Sequence, residues 1–238
     1  MLGRRLIARL WPAATFLLAA SCVAQPVTEQ GQAAKGLYDS FTLVAAIIFI
    51  VVAGLIGFSI VAFRKKSDDE TLPEQFHTNT KLEILWFAIP QLIVIGLFIG
   101  SVVVLDDTDR VRDRTDVTID VTAFQWGWRF EYEGTDIKIE SLPDARAAIV
   151  VPVGETIAFD LASHDVIHSF YVPEFFVKRD VVPGRTNRLE VIVDEIGIYT
   201  AKCAEFCGLL HDSMDFIVEV VDRDDYEKWL ADQVDTDA

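Results

Sequence analysis

The run Cys203-Ala204-Glu205-Phe206-Cys207-Gly208-Leu209-Leu210-His211-Asp212-Ser213-Met214 places two thiols, an imidazole and a thioether within twelve residues. A lone upstream imidazole, His168, sits in Asp165-Val166-Ile167-His168-Ser169-Phe170. Soft sulfur and borderline nitrogen donors together select copper, whereas Mg²⁺ and Ca²⁺ would leave the sulfurs unused. One Cys, two His and a weak Met would describe a mononuclear blue-copper site. The second Cys changes that reading, because thiolates four residues apart can each bridge two metals. A dinuclear copper electron carrier results, in which each metal keeps one imidazole. The fourth donors are Met214 sulfur on one metal and a backbone carbonyl on the other. Spreading one electron over two metals keeps bond lengths nearly constant, which favours fast transfer. Such a site leaves no open position for substrate. Two other readings stay open. Tetrahedral zinc could use Cys203, Cys207, His211 and His168, but Met214 would then have no role. A disulfide suits an exported domain, but needs neither His nor Met. Zinc and disulfides are colourless, so an optical spectrum separates them from copper.

The elements that hold these donors read as β. Gly197 to Cys203 is a turn and strand feeding the first thiol. His168, well upstream, is expected on a separate loop, so the donors meet only after the domain folds. Val117, Ile119 and Val121 alternate with Thr118, Asp120 and Thr122, the period of a half-buried strand. Val151-Pro152-Val153-Gly154-Glu155 marks a turn, after which Ile157, Phe159 and Leu161 alternate again. Leu189 to Val193 and Phe216 to Val221 are further strands. Spacing of this kind, without helical patterns between, predicts a Greek-key sandwich or barrel. Loops at the end of such a scaffold hold ligands on rigid supports. A short terminal helix is expected from Asp224 to about Ala231, with Tyr226, Trp229 and Leu230 on one face.

The rest of the chain belongs to a membrane. Ser40 to Phe63 contains 24 residues without a charge, and Ile84 to Leu105 another 22. Each run is long enough for a transmembrane helix. Arg64-Lys65-Lys66 abuts the first and places the connecting loop in the cytoplasm, so both ends of the hairpin face outward. Residues 1–22 have a basic start and a short apolar run, the pattern of an export signal. They end in Ala19-Ala20-Ser21-Cys22, which resembles a bacterial lipoprotein processing site. The net negative charge belongs to the region from Asp106 onward, which carries 30 Asp and Glu against 13 Lys and Arg. That surface repels nucleic acid, whose binding needs cationic side chains, and steers basic proteins toward itself.

Taken together, the hairpin, the aromatic segment Gln125-Trp126-Gly127-Trp128, the first His segment and the cysteine loop resemble subunit II of bacterial haem–copper cytochrome c oxidases, in family order. The resemblance covers most of the chain. It implies a two-helix hairpin (residues 40–105) followed by an extracytoplasmic, cupredoxin-like β-sandwich (residues 106–238) at the bacterial cell membrane. It implies a dinuclear copper A centre bound by His168, Cys203, Cys207, His211, Met214 and the backbone carbonyl of Glu205. The Glu205 side chain is implied as a ligand of Mg²⁺ or Mn²⁺ shared with subunit I. Trp126 is implied as the point where electrons arrive from cytochrome c, while Trp128 is read as sandwich packing. The family's middle Tyr is Gly127 here, and its His-Ser-Trp reads His168-Ser169-Phe170. Glu83, in Leu82-Glu83-Ile84-Leu85-Trp86, occupies the position at the mouth of a proton channel. Asp180 and Pro183-Gly184-Arg185 match a segment that faces subunit I and its haem propionates. Subunit I, other oxidase subunits, cytochrome c and membrane lipid are the implied partners. Oxygen reduction belongs to subunit I, coupled to proton translocation. A copper-free quinol oxidase subunit would lack the paired cysteines. A nitrous oxide reductase is expected to lack the hairpin, and a solitary blue-copper protein needs only one Cys.

Overall fold

The structure is a computed structural model that describes residues 25–64, 74–112 and 114–236. The expected export signal and lipoprotein-like site of residues 1–22, and Lys65 and Lys66, lie outside the described residues. The chain forms two units: a helical one, residues 33–110, and a β unit that joins residues from Val111 onward to the segment ending at Gln32.

The helical unit consists of most of α1 (Glu29–Ala62) and α2 (Thr80–Thr108). Both helices contain long segments that are apolar all round and leave side chains such as Phe49, Ile60, Phe87 and Val103 exposed. In water such a surface has no counterpart; in hydrocarbon it is the expected exterior. The first helix begins well before Ser40. A charge-free run marks the lipid span, whereas the polar residues of the first turns continue the helix outside it. At the start of α2, Asn79 accepts a hydrogen bond from the Leu82 N–H at 3.2 Å, and Glu83 Oε1 accepts one from the Asn79 N–H at 3.0 Å. Glu83 thus helps cap the helix and sits where a carboxylate favours the positive end of the helix dipole.

The β unit is a sandwich of two five-stranded sheets. One has the order β3-β2-β1-β5-β8, from β1 (Val117–Phe124), β2 (Gly127–Tyr132), β3 (Lys138–Ser141), β5 (Thr156–Ser163) and β8 (Asn187–Ile192). The other has the order β4-β10-β9-β6-β7, from β4 (Ala148–Pro152), β6 (His168–Val172), β7 (Val177–Val181), β9 (Gly197–Cys203) and β10 (Asp215–Val221). The parallel pairs β1–β5 and β4–β10 join strands distant in sequence, and the remaining pairs are antiparallel. Alternation along β1 sends Val117, Ile119, Val121 and Ala123 inward. Aromatic rings fill the space between the sheets: Phe170 lies 4.8 Å from Phe159 and 5.1 Å from Phe216, ring centre to ring centre. These separations suit tilted aromatic pairs. Helix α3 (Arg223–Thr236) closes one end with Tyr226 buried and Trp229 and Leu230 packed on the core.

Residues 27–32 have a part that patterning did not reveal. Thr28 is buried and donates to the Phe175 carbonyl at 2.8 Å, Gln30 accepts from the Ile192 N–H at 3.2 Å, and Thr28 bridges to Val193 beside β8. The segment covers an otherwise open sheet edge.

On the outer face of the first sheet, Asp120 stands in register between Glu131 and Asp160. Burial, and then the charges of Asp160, Glu133 and Glu131, hold its carboxyl above the usual range. The folded state therefore disfavours the carboxylate. Its penalty is absent below the unfolded value of about 4 and complete above the raised one. Asp120→Asn is expected to raise Tm modestly at neutral pH and to leave it unchanged well below the carboxylate range. An equal shift at both pH values would show that charge is not the cause.

Candidate metal centre

Three neighbouring strands of the second sheet deliver the donors to one end of the sandwich. Cys203 ends β9 and Met214 immediately precedes β10, with Lys202 and Asp215 paired. The twelve-residue stretch is thus the loop of a β-hairpin. Strand β6 pairs with β9 so that Phe170 faces Cys203, which brings His168, two residues earlier, to the same end. Sequence alone predicts a separate loop for His168; the structure instead makes it the first residue of strand β6. The strand follows because Ser169 lies across from Asp180 on β7 and its carbonyl takes the Ala204 N–H at 3.0 Å.

Six potential donors converge. The Sγ atoms of Cys203 and Cys207 lie 3.8 Å apart, both buried and unlinked. His168 Nδ1 is 3.9 Å from Cys203 Sγ, and the Glu205 carbonyl oxygen is 3.3 Å from that same sulfur. His211 Nδ1 is 3.6 Å and Met214 Sδ 3.8 Å from Cys207 Sγ. A sulfur separation of 3.8 Å is too long for a disulfide and leaves room for metal between the thiols. Burial of Met214 at 1% exposure, with its sulfur turned to a cysteine, gives the thioether a use that zinc would not. The donor set therefore fits copper.

Charge within the cluster favours metal ligation. Burial opposes ionisation of the Cys203 thiol, but hydrogen bonding to His168 and to nearby backbone outweighs it, and the thiol falls below its ordinary value. Burial and the Cys203 charge push Cys207 up. The pair thus loses one proton readily and the second reluctantly, as expected of like charges at contact. A bound cation removes that second obstacle. Burial opposes the His168 imidazolium, yet Cys203 and Asp165 outweigh it and raise its value. The His168 Nε2–H···Oδ1 bond to Asp165, 2.9 Å, orients the ring and points Nδ1 at the sulfur, the usual support of a metal-bound histidine.

The indole of Trp128 is completely buried and donates to the Met214 carbonyl at 3.1 Å, so it anchors the end of the ligand loop as well as packing the core. Trp126 is half-buried in the tight turn joining β1 to β2, and its indole N–H donates to the Cys207 carbonyl at 3.2 Å. Glu205 presents two separate groups: its carbonyl faces Cys203, while its carboxylate is exposed with Oε2 4.0 Å from Lys178 Nζ. Asp180 accepts from the Ser169 hydroxyl at 2.9 Å, and Arg185 is exposed on the following turn. Glu83 belongs to the helical unit. The roles of Asp165, Gln125 and Gly208 were not foreseen; only their closeness in sequence to His168, Trp126 and Cys207 hinted at them.

Gly127 has no room for a side chain. A Cβ there would lie 2.8 Å from both the Ser141 carbonyl oxygen and Phe124 Cζ. Gly127→Ala is expected to cost about 1–3 kcal/mol, as overpacking does, and to lower Tm accordingly. An unchanged Tm would show that the β1–β2 turn yields freely.

A β-sandwich carrying a buried thiolate–imidazole–thioether cluster, joined to two apolar helices of membrane-span length, defines a membrane-anchored, copper-binding domain of the cupredoxin type. The family model for the cytochrome c oxidase subunit II periplasmic domain matches residues 135–221, and that for the subunit II transmembrane domain matches residues 15–104. The chain belongs to the cytochrome c oxidase subunit II family. It is 37% identical over 210 residues to cytochrome c oxidase subunit 2 of Alkalihalophilus pseudofirmus, covering 84% of this chain and 59% of that one. It is 32% identical over 223 residues to a probable cytochrome c oxidase subunit 2 of Rickettsia felis, covering 87% and 69%. The crystal structure of the periplasmic domain of subunit II of cytochrome oxidase (CoxB) of Bradyrhizobium japonicum is similar with a TM-score of 0.50 and 29% identity, covering 54% of this chain and all of that one.

Proposed function

We propose that this chain is the electron-accepting subunit of a bacterial cytochrome c oxidase. It would take electrons from cytochrome c at a copper A centre and pass them to haem in subunit I, where O₂ is reduced to water with proton translocation. The observation that carries this reading is the convergence of His168, His211, Met214 and the Glu205 carbonyl on two thiol sulfurs 3.8 Å apart. When bound, a copper pair supplies a one-electron carrier whose change in charge is shared by two metals.

The protein's part is to bind, orient and shield. Cys203 and Cys207 would hold the copper pair through their sulfurs, presented by a hairpin loop whose ends are fixed by strand pairing. Asp165 holds His168 in the tautomer that leaves Nδ1 free. Trp128 and Phe216, with ring centres 5.4 Å apart, exclude water from the inner side. A rigid, dry cage of this kind limits reorganisation when charge changes. Trp126 is the point where electrons arrive, since its indole is half-exposed and bonded to the Cys207 carbonyl. Acidic side chains of the β unit draw a basic cytochrome c through long-range attraction. The outward Glu205 carboxylate, with Oε2 4.0 Å from Lys178 Nζ, would share Mg²⁺ or Mn²⁺ with subunit I, and such ions commonly take few protein ligands. Glu83 is assigned to the mouth of a proton path, and Arg185 to docking on subunit I. The amino terminus is read as an export signal with Cys22 lipidated, at the bacterial plasma membrane.

Purification of the full chain from native membranes tests the reading. Isolation with a large haem-bearing subunit, and oxidation of reduced cytochrome c by the complex, are expected. Isolation as a solitary copper protein would refute it.

A further inference from the structure

Gln125 touches both halves of the ligand set. Its backbone N–H donates to Asp165 Oδ2 at 2.7 Å, while Asp165 Oδ1 accepts from His168 Nε2 at 2.9 Å and from the Val166 N–H at 2.6 Å. Its side-chain Nε2 donates to the Cys207 carbonyl at 2.7 Å. That carbonyl also takes the Trp126 indole N–H, at the longer distance of 3.2 Å. The acceptor is a carbonyl, so only the amide nitrogen can face it. Beneath the two donors lies Gly208, with φ +120°, where a Cβ would stand 3.0 Å from Trp126 Cζ2 and 3.1 Å from Gln125 Nε2. Only glycine takes that backbone conformation at no cost and leaves space for both groups.

We propose that Gln125 is a positioning residue of this centre: it clamps the His168 segment to the cysteine loop and seats the Trp126 indole on the Cys207 carbonyl. This rests on the copper reading above. The residue is exposed, and a surface glutamine that merely faced solvent would have no reason to turn its amide onto the Cys207 carbonyl at 2.7 Å. Its backbone bond survives any substitution, but the side-chain bond does not. The side-chain amide polarises the Cys207 carbonyl and limits rotation of the peptide that carries the thiolate.

Two replacements of nearly equal length separate chemistry from shape. Gln125→Met removes the donor, and Gln125→Glu sets a carboxylate against the carbonyl. Both are placed in the full chain within the purified oxidase, alongside wild type. Copper content, electron paramagnetic resonance hyperfine splitting, midpoint potential of the centre and the kinetics of cytochrome c oxidation are then measured. Wild type is expected to hold a dinuclear centre. Gln125→Met is expected to keep the copper, alter the hyperfine splitting, lower the midpoint potential and reduce kcat for electron uptake by roughly two- to tenfold, the weight of one hydrogen bond. KM for cytochrome c should stay near the wild-type value. Gln125→Glu should deviate further in the same direction. Wild-type splitting, potential and kcat in both variants would overturn the role of Gln125 while leaving the copper assignment intact. A wild-type complex without a dinuclear centre would overturn the copper assignment itself.

Discussion

Cys207→Ser is expected to abolish the dinuclear centre. The serine hydroxyl ionises far less readily than a thiol and is a harder donor, so it bridges copper poorly. Cys207 Sγ also lies 3.6 Å from His211 Nδ1 and 3.8 Å from Met214 Sδ. Its loss removes the common contact of two further donors. The fold should persist, since the hairpin ends stay paired through β9 and β10 and Trp128 still holds the Met214 carbonyl. A folded oxidase with at most one copper in this domain, no mixed-valence signal and no cytochrome c oxidation is the expected outcome. A surviving mixed-valence signal would contradict bridging by this sulfur.

Trp126→Phe should act on rate alone. Phenylalanine keeps an aromatic ring in the β1–β2 turn but loses the indole N–H that reaches the Cys207 carbonyl. The shorter Gln125 bond to that carbonyl remains, so copper content and the dinuclear spectrum should be retained. Electron uptake from cytochrome c is expected to slow by an order of magnitude or more, seen in flash-induced kinetics of the complex. Docking affinity should change little, because the surface charges are untouched. Uptake kinetics equal to wild type would remove Trp126 from the path.

The donors were legible in the chain because soft ligands at close spacing have few other uses. Cys203, Cys207, His211 and Met214 all lie in one hairpin loop, where sequence neighbours are also spatial neighbours. The apolar helices were legible for a similar reason, since a lipid span needs an unbroken run. His168 was found as a residue but misplaced on a loop. Its strand depends on pairing with β7 and β9, which no local pattern in Asp165 to Phe170 declares. The start of α1 before Ser40 was not visible for a related reason: a charge-free run marks the lipid span, not where a helix begins. Least visible were groups that act through the backbone. Thr28 and Gln30 seal a sheet edge, and Gln125 binds a carbonyl from a residue far along the chain. Such contacts exist only once two sheets have folded against each other, so their residues look like ordinary polar positions in the sequence.

The most direct test combines copper quantitation with electron paramagnetic resonance of the full chain in its purified complex. Two coppers bound at this domain, with one unpaired electron shared between two copper nuclei, would match thiolates at positions 203 and 207 holding both metals. A single copper with the spin on one nucleus, or a Cys203–Cys207 crosslink in the active complex, would contradict it.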